Sequence, residues 1–112
     1  MKLPFSKAVE SNGLLFLSGE VPMDTTGNIP EGITAQTQQV FKNISQTLAQ
    51  HGAQFTDVMS VTVYLTDKTD FAAFNEAYKA YFVEPYPVRT TVIADLVIDA
   101  KVEITVIAKL KG

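Results

Sequence analysis

The chain contains no cysteine, which removes a disulfide framework, a thiolate nucleophile and a sulfur-ligated metal site in one stroke. Histidine is nearly as scarce. His51 is the only one, and beside Gly52 it reads as the end of a helix, where an imidazole can face the last carbonyls. One histidine in that position supports neither a catalytic triad nor a zinc site. No apolar run approaches the roughly 20 residues of a membrane span, and Met1-Lys2-Leu3-Pro4-Phe5 lacks the long apolar core of a secretory leader, so a cytoplasmic location is expected. Positive charge is sparse and dispersed. Nine basic residues stand against twelve acidic ones, giving a net charge of −3, and no basic stripe marks a nucleic-acid partner. Chemistry in this chain therefore falls to hydroxyls, carboxylates, backbone amides and one arginine, with no metal or organic cofactor expected.

What is present fits one compact domain over 1–112: 46% of the residues are hydrophobic and 19% charged, a globular balance. Ser11-Asn12-Gly13 between apolar runs signals a tight hairpin joining strands 3–9 and 14–18, because Asn and Gly tolerate positive φ. Residues 19–32, rich in Gly and Pro, form a long loop, a kind of segment that often carries function. Ile33, Thr37, Val40, Ile44 and Leu48 trace one helical face. Strict alternation over 58–66 makes a strand with Met59, Val61, Val63 and Leu65 on one side. A second helix opens near Thr69 or Asp70 and lines up Phe71, Phe74, Tyr78, Tyr81 and Phe82 as core, until Pro85 and Pro87 stop it. Strands 88–94 and 101–110 close a β-β-α-β-α-β-β order, an α+β domain with two helices on one face of a sheet.

Arg89 is the sole arginine; the other eight basic residues are lysines. It lies in Pro87-Val88-Arg89-Thr90-Thr91-Val92-Ile93, whose β-branched residues read as a strand. Two roles suit such an arginine. Its planar fork can hold a carboxylate in bidentate fashion, which lysine does poorly, or its stem can lie on the sheet with the head in water. With the uniformly apolar strand sides turned to the helices, the opposite face carries Thr62, Tyr64, Thr91, Ile93, Thr105 and Ile107, together with Arg89 and Glu103. That face is too apolar for free solvation, which favours packing against further copies of the chain. A hairpin pairing of the last two strands would put Arg89 and Glu103 close together on it.

The run of pieces resembles one known family along nearly the whole chain. They are Pro4-Phe5, Leu17-Ser18-Gly19, Val61-Thr62-Val63-Tyr64-Leu65-Thr66-Asp67, Asp70-Phe71 with Phe74-Asn75-Glu76-Ala77-Tyr78, Pro87-Val88-Arg89-Thr90-Thr91-Val92, and Val102-Glu103-Ile104 with Ile107-Ala108. In this order and spacing they are similar to the reactive intermediate deaminases, the Rid (RidA/YjgF) family. The resemblance implies a chorismate-mutase-like fold and a homotrimer with clefts at the subunit interfaces. It also implies hydrolysis of enamine/imine intermediates such as 2-aminoacrylate to 2-oxo acids and ammonia, the 2-iminobutanoate/2-iminopropanoate deaminase type of damage control. On the matching positions Arg89 would hold the substrate carboxylate, Glu103 would be the family's C-terminal-strand glutamate, and the backbone of Ser18-Gly19 would line the cleft; Glu103 then either activates the attacking water or pairs with a lysine at the strand surface.

Two positions depart from the family pattern. Phe5 stands where many members have tyrosine, and Thr91 where many have cysteine, so a phenol and a thiol are missing while the arginine remains. Phe5 is then a cleft wall or ordinary packing, and Thr91 a cleft hydroxyl or a strand-former. The competing class is a trimeric module that binds 2-oxo acids without turnover. A chorismate-mutase-like activity rests on fold analogy alone and is disfavoured, since a dicarboxylate would require more cationic anchors than one arginine.

Overall fold

A computed structural model describes residues 3–111; Met1, Lys2 and Gly112 lie outside it. Strands β1 (Ala8–Ser11) and β2 (Leu14–Leu17) form the expected hairpin. Its two turn residues have positive φ, 52° at Asn12 and 77° at Gly13, the backbone that matches the strands' own twist. Helix α1 (Ile33–Gln50) buries Ile33, Thr37, Val40, Phe41, Ile44 and Leu48. It ends in a Schellman motif: Gly52 N–H donates to the Ala49 carbonyl and Ala53 N–H to that of Leu48, with Gly52 at φ 73°. Only glycine takes that conformation at no steric cost. The His51 side chain is not spent on the last carbonyls, as its position suggested. Its Nδ1 lies 2.9 Å from Glu10 Oε2 and ties the end of α1 to β1.

Strand β3 (Val58–Leu65) keeps Val58, Val61, Val63 and Leu65 in the core. A register irregularity between Val58 and Ser60 turns Met59 outward and gives Val58 the core place that the bare pattern assigns to Met59. Helix α2 (Phe71–Tyr78) is shorter than the aromatic stripe predicted. Tyr81 and Phe82 lie beyond it and pack on Phe41, with ring centroids 4.4 and 5.7 Å away. Strands β4 (Val88–Ile93) and β5 (Val102–Lys109) complete the order.

The five strands lie in the order β1-β2-β5-β3-β4. β3 and β4 are parallel and joined through α2, while β5 inserts antiparallel between β2 and β3. The last two strands are therefore not a hairpin. Both helices cover one face, where Leu15, Leu17, Val61, Val63, Leu65, Val102, Ile104 and Val106 meet Val40, Phe41, Ile44, Leu48 and Phe74. This is a mixed sheet with its two helices on one side, as the alternating patterns require.

Candidate active site

The pairing register settles which side chains share a face. Arg89, Thr91 and Ile93 are opposite Val61, Val63 and Leu65, whereas Val88, Thr90 and Val92 are opposite Ser60, Thr62 and Tyr64. Since Val61, Val63 and Leu65 are core residues, Arg89, Thr91 and Ile93 leave β4 on the helix side. Glu103, opposite Tyr64, and Thr105, opposite Thr62, leave β5 on the open side. The expectation that Arg89 and Glu103 share one face is thereby corrected. The error arose because β4 alternates polar and apolar residues on both sides, so its pattern carries no face signal, and only its parallel pairing assigns one. The open face does carry the semi-apolar character expected of it, with Val9, Phe16, Val88 and Val92 exposed.

Each face presents one of the two candidate groups. On the helix side the Arg89 guanidinium rests against α2, its Cζ 4.6 Å from the Tyr78 ring centroid, 5.7 Å from that of Phe74 and 5.9 Å from that of Phe71. The ring-face approach, not a hydrogen bond of good geometry to the phenol, defines the contact with Tyr78. Burial pushes the Tyr78 phenol above its ordinary pKa of 10.0, and the positive charge of Arg89 offsets part of that rise. Among the described residues no carboxylate pairs with Arg89; the ion pairs formed are Lys7–Glu20, His51–Glu10, Lys79–Glu76 and Lys101–Asp70. Thr91 was open to two readings, a hydroxyl for the cleft or a plain strand-former. Its oxygen is shielded from solvent and without a hydrogen-bond partner.

On the open side Glu103 sits against the backbone of Gly19. A Cβ on Gly19 would overlap the Glu103 carboxylate and come within 3.2 Å of Thr105 Oγ1, so the glycine is there to admit that carboxylate. The approach is set by reciprocal backbone bonds, Glu20 N–H to the Ile104 carbonyl at 2.8 Å and Ile104 N–H to that of Glu20 at 3.0 Å. Ser18 is occupied with the N-terminal segment: its hydroxyl donates to the Ser6 carbonyl at 2.6 Å and its N–H to that of Lys7 at 3.0 Å. That anchoring holds in place the segment carrying Phe5, whose ring is exposed. Beside Glu103 lies a hollow lined by Tyr64, Thr105 and the loop 94–97. No lysine pairs with Glu103 among the described residues.

Tyr64 lies beside Glu103 on the face where the alternation put both, whereas sequence reasoning missed the α2 rings beneath Arg89. The rings carried a signal, since Phe71, Phe74 and Tyr78 recur at helical spacing on the helix preceding the arginine's strand. No group of three or more metal-ligating side chains occurs among the described residues, and no described helix is long and apolar enough to cross a membrane.

The sequence and the fold both recur in known proteins. A sequence model of the Endoribonuclease L-PSP family matches residues 2–110. A RutC family protein of Pyrococcus horikoshii is 44% identical over 108 residues, covering 94% of this chain and 86% of its own. The 2-iminobutanoate/2-iminopropanoate deaminase of Mus musculus is 35% identical over 108 residues, covering 94% and 80%. The crystal structure of RidA from the Antarctic bacterium Psychrobacter sp. matches with a TM-score of 0.91 at 38% identity, over 96% of this chain and 89% of that one. With a family match over almost every residue and the same fold in solved relatives, the chain belongs to the Endoribonuclease L-PSP family, the family of the RidA/YjgF proteins.

Proposed function

We propose that the chain hydrolyses small enamine/imine acids, such as 2-aminoacrylate, to 2-oxo acids and ammonia, in clefts between the subunits of a homotrimer. The observation that carries this reading is Arg89: a lone guanidinium, partly exposed, backed by aromatic rings and with no carboxylate partner among the described residues. Such a group is suited to a ligand carboxylate. Similarity to a protein named as an iminobutanoate deaminase supports the reaction class.

Arg89 and Glu103 leave opposite faces of one sheet, so a substrate touching both needs Arg89 from one subunit and Glu103 from another. The exposed Val9, Phe16, Val88 and Val92 of the open face supply apolar area for that assembly. In this arrangement the enamine enters as its imine tautomer, and Arg89 holds the carboxylate so that the C=N carbon faces a water. Glu103 accepts a proton as the water oxygen bonds to carbon, giving a carbinolamine. That proton passes to the imine nitrogen to complete the carbinolamine; the hydroxyl proton then moves to nitrogen by way of Glu103 as C=O forms, the C–N bond breaks and ammonia leaves. Phe5 and the Ser18-Gly19 backbone line the cleft on the Glu103 side, while Thr91 supports the strand beneath Arg89.

The test is turnover of enzymatically generated 2-aminoacrylate by wild type and by Arg89→Ala, with assembly followed by native mass spectrometry. Truncating a charge whose partner stays desolvated costs about 3 to 5 kcal/mol. Activity should therefore fall by orders of magnitude in an intact trimer, and Arg89→Lys should restore little. A wild-type trimer that binds 2-oxo acids yet accelerates no imino acid would establish the binding-module reading instead. The family description names an endoribonuclease, but a net charge of −3 with dispersed lysines offers RNA no phosphate track.

A further inference from the structure

Phe71, Phe74 and Tyr78 stand at i, i+3 and i+7, one stripe of α2, and all three ring centroids lie within 6 Å of Arg89 Cζ. Phe74 and Tyr78 are buried, whereas Phe71 is 42% exposed. An exposed phenylalanine beside the only arginine adds little to the core, so its place calls for another account. Rings attract a guanidinium through their π faces, which leaves the N–H edges uncommitted for in-plane binding of a carboxylate. We propose that Phe71, Phe74 and Tyr78 are positioning residues: together they form an aromatic seat that holds Arg89 ready before substrate arrives. This rests on the reading of Arg89 as the carboxylate anchor and specifies how that anchor is kept in place.

The seat acts by preorganisation. A free arginine side chain on an edge strand samples many rotamers, and fixing it on binding costs affinity; a chain already fixed avoids that cost. Removing the exposed ring should therefore weaken carboxylate binding without slowing the chemical step.

Because the chain has one arginine, its Nε–Hε group gives a single peak in a proton–nitrogen correlation spectrum, which isolates this side chain. In the ligand-free wild-type protein the peak should be ring-current shifted and its Nε should relax as a rigid site. Phe71→Leu should reduce the shift and the rigidity, raise the Kd for 2-oxobutanoate and the KM for the imino acid about 2- to 5-fold, and leave kcat unchanged. Phe71→Tyr should restore wild-type values. Unchanged backbone amide peaks away from α2 will show that the fold is retained. An unshifted, mobile Nε–Hε peak in the wild-type protein would overturn the seat whatever the activity. A reduced shift in Phe71→Leu with unaltered Kd and KM would overturn its positioning role. A shifted, rigid peak that 2-oxobutanoate fails to move would instead count against the carboxylate-anchor reading, while the seat itself stands.

Discussion

Replacing Thr91 with valine should make the protein more stable, although the substitution deletes a polar group next to the proposed site. The Thr91 Oγ1 is shielded from solvent and has no hydrogen-bond partner among the described residues, so folding strips it of water and returns nothing. An unsatisfied buried hydroxyl carries a penalty of about 1 to 3 kcal/mol. Valine keeps the β-branched shape and strand preference that suit β4, and its added methyl would bury up to ~0.8 kcal/mol of apolar transfer energy. A conservative expectation is a gain of roughly 1 to 2 kcal/mol. For a domain near 100 residues, each kcal/mol moves Tm by about 4 to 8 °C. Urea unfolding at one fixed chain concentration is the appropriate assay, because assembly makes apparent stability concentration-dependent. The midpoint should rise with the slope unchanged. The reasoning fails if Thr91→Val lowers the midpoint, since the hydroxyl must then have a partner, supplied by a neighbouring subunit. Thr37, whose Oγ1 is likewise buried and unpartnered on α1, provides an independent trial of the same argument.

Three further outcomes are expected. Glu103→Gln preserves size and hydrogen bonding but loses basicity, so single-turnover measurements should show a ~100- to 10,000-fold slower rate for bound substrate; weaker binding with an unchanged rate would make Glu103 a structural partner instead. Gly19→Ala should displace the Glu103 carboxylate, because the new Cβ would overlap it. Turnover should then fall towards that of Glu103→Gln with the fold intact by circular dichroism, and full activity would show that the carboxylate has another productive position. Burial raises the phenol pKa of Tyr78 and of Tyr81 above 10.0 in the folded chain. Neutral phenols favour the fold, so their contribution is complete below pH 10 and is lost as pH rises through the folded values. An ultraviolet titration should find Tyr78 and Tyr81 ionising above the ordinary phenol range, with chemical stability falling over the same alkaline range.

Much of the fold is local and was open to reading from the residues. Asn12-Gly13 specifies a hairpin because few other pairs accept two positive φ values, and Gly52 ends α1 for the same reason. The helical recurrence of Ile33, Thr37, Val40, Ile44 and Leu48, and the alternation along β5, are burial patterns that one element writes into its own sequence. The chemical character of Arg89 and Glu103 was equally visible, as was a sheet face in need of cover. Which strand lies beside which was not. The insertion of β5 between β2 and β3, and the parallel pairing of β4 with β3, depend on contacts between residues far apart in the chain. That pairing turned Arg89 and Thr91 to the helix side, set the guanidinium on the rings of α2, and left Glu103 across the sheet against Gly19. Composition and spacing could name both candidate groups, but a strand that alternates on both sides has no preferred face until its neighbour is fixed. The separation of arginine and glutamate onto opposite faces of the sheet was therefore decided only by the tertiary structure.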